Sequence, residues 1–307
     1  MRKILSAIMV MLVATLGAVA EGAVLSGAVE SGFKVLVNDA GTTVQQFTWN
    51  EGTAGWGRIK LNAAVGDSAV DIYLQTKDMA TVYVPYAWVT QKFLNKALEL
   101  RVGNINNDQF TTAYQSLGGI GGQGAQVVLK LPFGLNVGGF VPLDNTPKDI
   151  SSLKMFKAGA SYSYGPVSVV GVYTAGDIDP TIVGGFMFSA SGLIAGVDVS
   201  NTGDTTIISP SIDYTDPDGK FELTLDTWTD TDGLWDNSET TFWYNYWVTP
   251  KFRILGKAAY LPSGNVIKLR EGIKWNVSSM AWIRAQVDST FAEESSHALN
   301  VMFVHSF

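Results

Sequence analysis

The feature that most constrains this chain is an alternation of apolar and polar side chains with period two, returning in block after block from near residue 24 to the end. Phe221, Leu223 and Leu225 fall on one side of an extended segment, and Glu222, Thr224 and Asp226 on the other. Ile59, Leu61, Ala63 and Val65 oppose Arg58, Lys60 and Asn62. Ile267, Leu269, Ile273 and Trp275 oppose Lys268, Arg270 and Lys274. An amphipathic helix would instead repeat its apolar residues at three- and four-residue spacing. The chain is therefore all-β. Its blocks run to about ten residues, the length of a tilted strand crossing the hydrocarbon of a bilayer.

Turn chemistry sets a second rhythm. Gly66-Asp67-Ser68, Pro132-Phe133-Gly134, Gly165-Pro166, Ser191-Gly192, Asp216-Pro217-Asp218-Gly219 and Thr249-Pro250-Lys251 are short breaks rich in Gly, Pro and Asp. Between them lie less uniform connections near 38–55, 105–123, 143–154, 202–205, 230–238 and 292–296. Short turns on one rim and longer loops on the other describe a transmembrane barrel. Strands are expected at 24–37, 56–65, 69–77, 81–91, 98–104, 124–131, 135–142, 155–164, 167–175, 181–190, 193–201, 206–214, 221–229, 239–248, 252–261, 265–275, 280–291 and 297–307. Val44 to Asn50 reads either as an extension of the first outer loop or as a strand of its own. The expected fold is a closed antiparallel barrel of 16–18 strands, with 14 as the fallback. Closure is how a sheet satisfies its backbone in lipid. A β-sandwich would also alternate, but its outer faces would carry many charges.

Composition agrees. Charged residues are only 16% of the chain, against roughly 25% in an ordinary soluble domain. The absence of Cys removes disulfide scaffolds and thiolate metal sites. A net charge of −7 disfavours nucleic acid as a partner. Residues 1–20 read as a cleaved export signal: Arg2 and Lys3, then an apolar run from Ile4 to Leu16, then Ala18-Val19-Ala20. Residues 21–307 then form a single barrel domain. Losing Arg2 and Lys3 takes the net charge from −7 to −9.

Aromatic residues gather near strand ends and turns, among them Trp88, Phe93, Phe133, Phe156, Tyr164, Trp228, Trp243, Trp247, Phe252, Tyr260, Trp275 and Phe291. In a membrane barrel those levels are the two interfacial girdles. The chain closes on an alternating strand with Leu299, Val301, Phe303 and Phe307 on one face. That ending resembles the insertion signal of bacterial outer-membrane barrels, with His305 departing from the usual apolar residue.

Taken together, residues 24–307 resemble the general porins of Gram-negative-type bacteria in architecture. The resemblance implies an outer-membrane location, contact with outer-membrane lipid and the barrel-assembly machinery, a homo-oligomer (a trimer), and passage of small hydrophilic solutes or ions. It implies no cofactor and no metal. The alternative is a structural or adhesive barrel with a plugged lumen, and strand number separates the two.

If the apolar face meets lipid, the polar face lines water. Alternation then sends Arg58, Lys60, Arg101, Arg253, Lys257, Lys268, Arg270, Lys274 and Arg284 inward, with Asp198, Asp213, Glu222 and Asp226. Cations on neighbouring strands focus a field that favours anions, unless they only pair across strands. In general porins the third outer loop narrows the channel, and here that loop is 105–123. It offers Asn106, Asp108, Gln109 and Tyr114 as constriction residues, although the family's acidic cluster is reduced to Asp108.

Three further signals carry little. Gly119 to Gly124 matches a dinucleotide fingerprint, but a strand pattern follows where a helix is needed. Asp230 to Glu239 matches part of a calcium loop, with Trp228 at the first ligand position. His297, beside Ser295 and Ser296, is the sole candidate for nucleophilic catalysis and has no partner motif. The expectation is a channel rather than an enzyme.

Overall fold

The computed structural model describes residues 24–38, 40–46, 56–76, 82–112, 117–143, 156–176, 179–230 and 238–306. The expected export signal, Tyr114, Phe307 and most of the acidic 230–239 loop lie outside the described residues.

Nineteen strand segments follow one another in this part of the chain. They are β1 (Val24–Asn38), β2 (Gly41–Gln46), β3 (Trp56–Val65), β4 (Ser68–Thr76), β5 (Val82–Phe93), β6 (Leu98–Ile105) and β7 (Gly122–Lys130). Next come β8 (Leu135–Pro142), β9 (Lys157–Tyr164), β10 (Val167–Thr174), β11 (Thr181–Ala190), β12 (Leu193–Thr202) and β13 (Thr205–Thr215). The last are β14 (Phe221–Asp230), β15 (Ser238–Thr249), β16 (Phe252–Leu261), β17 (Val266–Asn276), β18 (Ala281–Phe291) and β19 (Ser296–Ser306). A 3-10 turn, Pro262–Gly264, joins β16 to β17.

From β3 onward each strand pairs antiparallel with the next, and β1 closes the circle on β19, from Ala28 opposite Ser306 to Val37 opposite His297. β2 pairs with the end of β1, Asn38 opposite Gly41 to Phe33 opposite Gln46. β3 pairs with its beginning, from Glu30 opposite Trp56 to Val24 opposite Asn62. β2 and β3 are thus two lengths of one barrel strand, which gives a closed barrel of 18 strands. Val44 belongs to β2, so the ambiguous segment starts as part of the second strand rather than as a loop or a separate strand. The fallback of 14 is not needed.

Val24 and Ser306, the first and last described residues, lie at one rim, called here the near rim, with the short turns 66–67, 165–166, 191–192 and 250–251. The longer connections lie at the far rim. Parity divides the wall as the sequence predicts. Val29, Phe33, Val169, Ile182, Phe186, Leu225, Leu269 and Phe303 are exposed on the outside, an apolar surface far larger than a soluble monomer presents. The buried cluster lies inside the barrel: Trp88, Ile105, Phe110, Ile120, Val128, Phe140, Val172 and Val183.

The girdle expectation holds for only part of its aromatic set. Phe93, Phe133, Phe156, Tyr164, Tyr260, Trp275 and Phe291 are exposed. Trp88, Trp228, Trp243 and Trp247 share parity with the polar face and point inward. Trp88 is buried against Tyr73, ring centroids 5.6 Å apart. Trp243 and Trp247 lie beneath Lys257 and Arg253. Level along a strand follows from the turns, whereas the side of the wall follows from parity alone.

Candidate functional site: the barrel lumen

The inner wall is built from even-numbered positions in some strands and odd in others, tied together by register. Asp71 faces Asn62, whose amide donates to it at 2.8 Å, so β3 and β4 contribute Lys60, Asn62, Asp71 and Tyr73 inward. Lys60 reaches Asp71 at 3.7 Å and lies 5.1 Å from the Tyr73 ring centroid. Arg58 sits over the same ring at 5.9 Å. On β6, Arg101 pairs with the buried Glu99 at 2.7 Å, and Lys130 reaches Glu99 from β7 at 3.2 Å. Every Lys and Arg within a described strand occupies an inward position by this register, and on the inner face basic groups outnumber acidic ones.

Six of the expected cations fall on three adjacent strands. Lys257 on β16 faces Arg270 on β17, which faces Asp288 on β18. Two inward rows nearer the near rim, Arg253 faces Lys274, which faces Arg284. Lys268 lies one row nearer the far rim, opposite Ala259. Lys257 pairs with Glu239 at 3.6 Å and Arg270 with Asp288 at 2.6 Å. Tryptophans interleave with the cations. Lys257 lies 4.5 Å from the Trp243 centroid, Lys274 4.1 Å from Trp282 and Arg253 5.6 Å from Trp247. Cation–π contact of this kind steadies a charge without neutralising it.

The acidic residues occupy the neighbouring sector. Asp198 is only 1% exposed and faces Ser209. Asp213 faces Thr224, Asp226 faces Thr241, and Glu222 accepts a hydrogen bond from Asn245 at 3.0 Å. The acidic and basic sectors therefore abut across β14 to β16. They do not oppose each other across the lumen. Glu239 and Asp288, which partner the cations, are not among the inward residues expected from the sequence, although their parity matches that set.

The described parts of the third outer connection, 106–112 and 117–121, fold into the barrel. Phe110 and Ile120 are buried against Val128, Phe140, Val172 and Val183 of the wall. Two wall glycines make room: a Cβ on Gly159 would sit 2.7 Å from Phe110 Cγ, and one on Gly138 2.7 Å from Phe110 Cε2. Phe110 takes φ 61°, the left-handed region that side chains other than Gly seldom adopt. Ile120 N–H donates to Gln109 O at 2.9 Å, and Thr112 N–H to Leu117 O at 3.0 Å. Lys157 Nζ donates to Gly121 O at 3.1 Å, and the Gln126 amide to Ile120 O. Asp108 is exposed on the loop and meets Arg101 at 3.2 Å, while Asn106 and Gln109 are half-buried. A cavity of about 250 Å³ between loop and wall is lined by Asp108, Thr111, Ser161, Ser163, Ser168 and Asp198, among others.

Other signals resolve simply. Gly122 and Gly124 of the dinucleotide-like run lie in β7, antiparallel to β6. No group of three or more metal-ligating side chains occurs among the described residues. His297 Nδ1 meets Ser289 Oγ at 3.0 Å on the outer face. Among the described residues no carboxylate or amide is bonded to that imidazole to orient it, as a catalytic triad requires. Phe303 is exposed on the outer face of β19, and His305 shares its parity.

No family model matches this chain, and no curated protein is similar to it in sequence. Its fold, however, is that of solved bacterial porins. A triple mutant of the Rhodopseudomonas blastica porin is 13% identical, with a TM-score of 0.57 over 93% of this chain and 100% of that one. OccK11 (OpdR) of Pseudomonas aeruginosa is 11% identical, with a TM-score of 0.65 over 94% of this chain and 96% of that one.

Proposed function

We propose that this chain is a bacterial outer-membrane channel through which small hydrophilic solutes and ions diffuse passively. The observation that carries the reading is width. An 18-stranded wall encloses more space than side chains can fill, whereas barrels of about eight strands are filled. The inward loop occupies one flank, against β7 to β11. β9 and β18 lie nine places apart in the 18-strand order, so the loop stands across the lumen from β16 to β18. Solutes then pass between the loop, with Asp108 and Arg101, and the basic wall of Arg253, Lys257, Lys268, Arg270, Lys274 and Arg284. Arg58 and Lys60 line the adjoining wall, and Asp198, Asp213, Glu222 and Asp226 bias the field sideways. A charged, low-dielectric passage raises the local concentration of the opposite ion, so anions are favoured.

In this reading the near rim faces the periplasm, residues 1–20 are removed on export, and Phe303 and Phe307 present the final strand to the barrel-assembly machinery. The barrel works as a homotrimer without cofactor and without catalysis. Light scattering on detergent-extracted protein is expected to give three chains per particle. A single chain would remove the trimer and leave the channel.

The test is conductance. Refolded 21–307 in a planar bilayer is expected to give large, stable single-channel steps. Absence of steps from a demonstrably folded barrel would transfer the reading to a structural barrel closed by its loop.

A further inference from the structure

The row of cations nearest the near rim on β16 to β18 combines three features that together ask for a ligand. Arg253 faces Lys274 directly, and Lys274 faces Arg284 directly, on strands about 5 Å apart. Like charges placed opposite on neighbouring strands repel, and this row holds no carboxylate: it continues into Trp247 on one side and Met302 on the other. Nor do the adjacent inward positions supply one, being Leu255, Gly272 and Gln286 above and Asn276 and Trp282 below. The cations one step further up, Lys257 and Arg270, do have carboxylate partners. Among the described residues Arg253 and Lys274 form no salt bridge, and Glu222, the acidic side chain nearest in register, is held by Asn245.

The second feature is an orphaned donor: Arg253 Nε is buried and has no hydrogen-bond partner. A buried donor without an acceptor is costly. The third is space. A cavity of about 80 Å³ lies at this point, lined by Trp247, Arg253, Lys274 and Asn276 together with Pro250 and Lys251 of the turn and Phe252 at the start of β16. It has room for a group of roughly two to three water volumes. Its polar lining is three cations and one amide.

We propose that Arg253, Lys274, Arg284 and Lys251 form a binding site for a phosphate-sized oxyanion at the near-rim mouth of the lumen. The anion supplies the missing negative charge between Arg253 and Lys274 and accepts from the orphaned Nε. The planar guanidinium suits a phosphate or carboxylate oxygen pair. This deepens the proposed channel by giving it a ligand, and depends on it only for access from solution.

Calorimetric titration of sodium phosphate into the folded barrel in zwitterionic detergent, at constant ionic strength in chloride, tests the site without requiring conduction. Saturable binding is expected, at least tenfold weaker in Arg253→Gln and in Lys274→Gln. Either change relieves repulsion, so both variants are expected to fold, which heat-dependent gel mobility confirms. Lys92→Gln removes one inward charge from β5 and is expected to leave affinity within twofold. Sodium benzoate in a parallel titration separates a general oxyanion site, which binds both, from one confined to phosphate. No saturable binding of either anion, or an equal loss in Lys92→Gln, overturns the site in favour of a diffuse field. Current without saturable binding sinks the site and keeps the channel, and binding without current does the reverse.

Discussion

At the scale of single residues, the outer wall contains one anomaly. Glu271 is the middle residue of β17, its parity is that of Leu269 and Ile273, and it is exposed. Among the described strands it is the only Asp, Glu, Lys or Arg at an outward position. Tyr244 answers it from two strands away, its phenol donating to Glu271 Oε2 at 2.5 Å across the bare backbone of Gly256. A Cβ on Gly256 would fall 2.3 Å from Tyr244 Cε1, so the glycine is what lets the ring reach over. A carboxylate at mid-bilayer is costly, and a hydrogen bond to a charged group offsets about 1.5–3 kcal/mol. Tyr244→Phe is therefore expected to lower unfolding free energy in lipid by about 1–2 kcal/mol. Glu271→Leu is expected to raise it by about 1 kcal/mol. In the double variant the tyrosine change should cost almost nothing, which urea titration of all four proteins measures directly.

At the scale of elements, the inward loop decides how much of the lumen is open. Its docking rests on Phe110 and Ile120, and barrel strand pairing does not involve either side chain. Phe110→Ala removes about 3 kcal/mol or more of packing from the loop alone. The expected outcome is a folded barrel with higher conductance and noisier current. Gly159→Val attacks the same contact from the wall and should act in the same direction. Unchanged conductance in both would mean that the loop does not bound the path.

This loop also marks where the sequence stops being readable. Strand levels followed from turns such as Gly165-Pro166, and the inward set on β16 to β18 followed from parity, because both are local patterns. That Phe110 would find Gly138 and Gly159 depends on residues 28 and 49 positions away, which no periodicity encodes. The interleaving of Trp243 with Lys257 is hidden for a different reason: grouping Trp243 with the strand-end aromatics suggests a girdle, whereas it lies mid-strand in β15 with the parity of the inner face. Glu271 was visible all along as the one break in the alternation of 267–275.

At the scale of the whole molecule, charge is sorted by location. The chain is acidic overall, at −7, yet its inner wall is net basic because many acids sit in turns and loops, such as Asp67, Asp204, Asp216, Asp218, Glu293 and Glu294. Sign of selectivity should therefore follow the wall and not the net charge. The reversal potential across a KCl gradient is expected to take the sign of chloride preference. Replacing Lys268, Arg270 and Lys274 together by Ser is expected to reduce that preference severalfold without closing the channel. A wild-type reversal potential of the cation-selective sign, unmoved by the triple replacement, would contradict the claim that the passage runs along the basic wall.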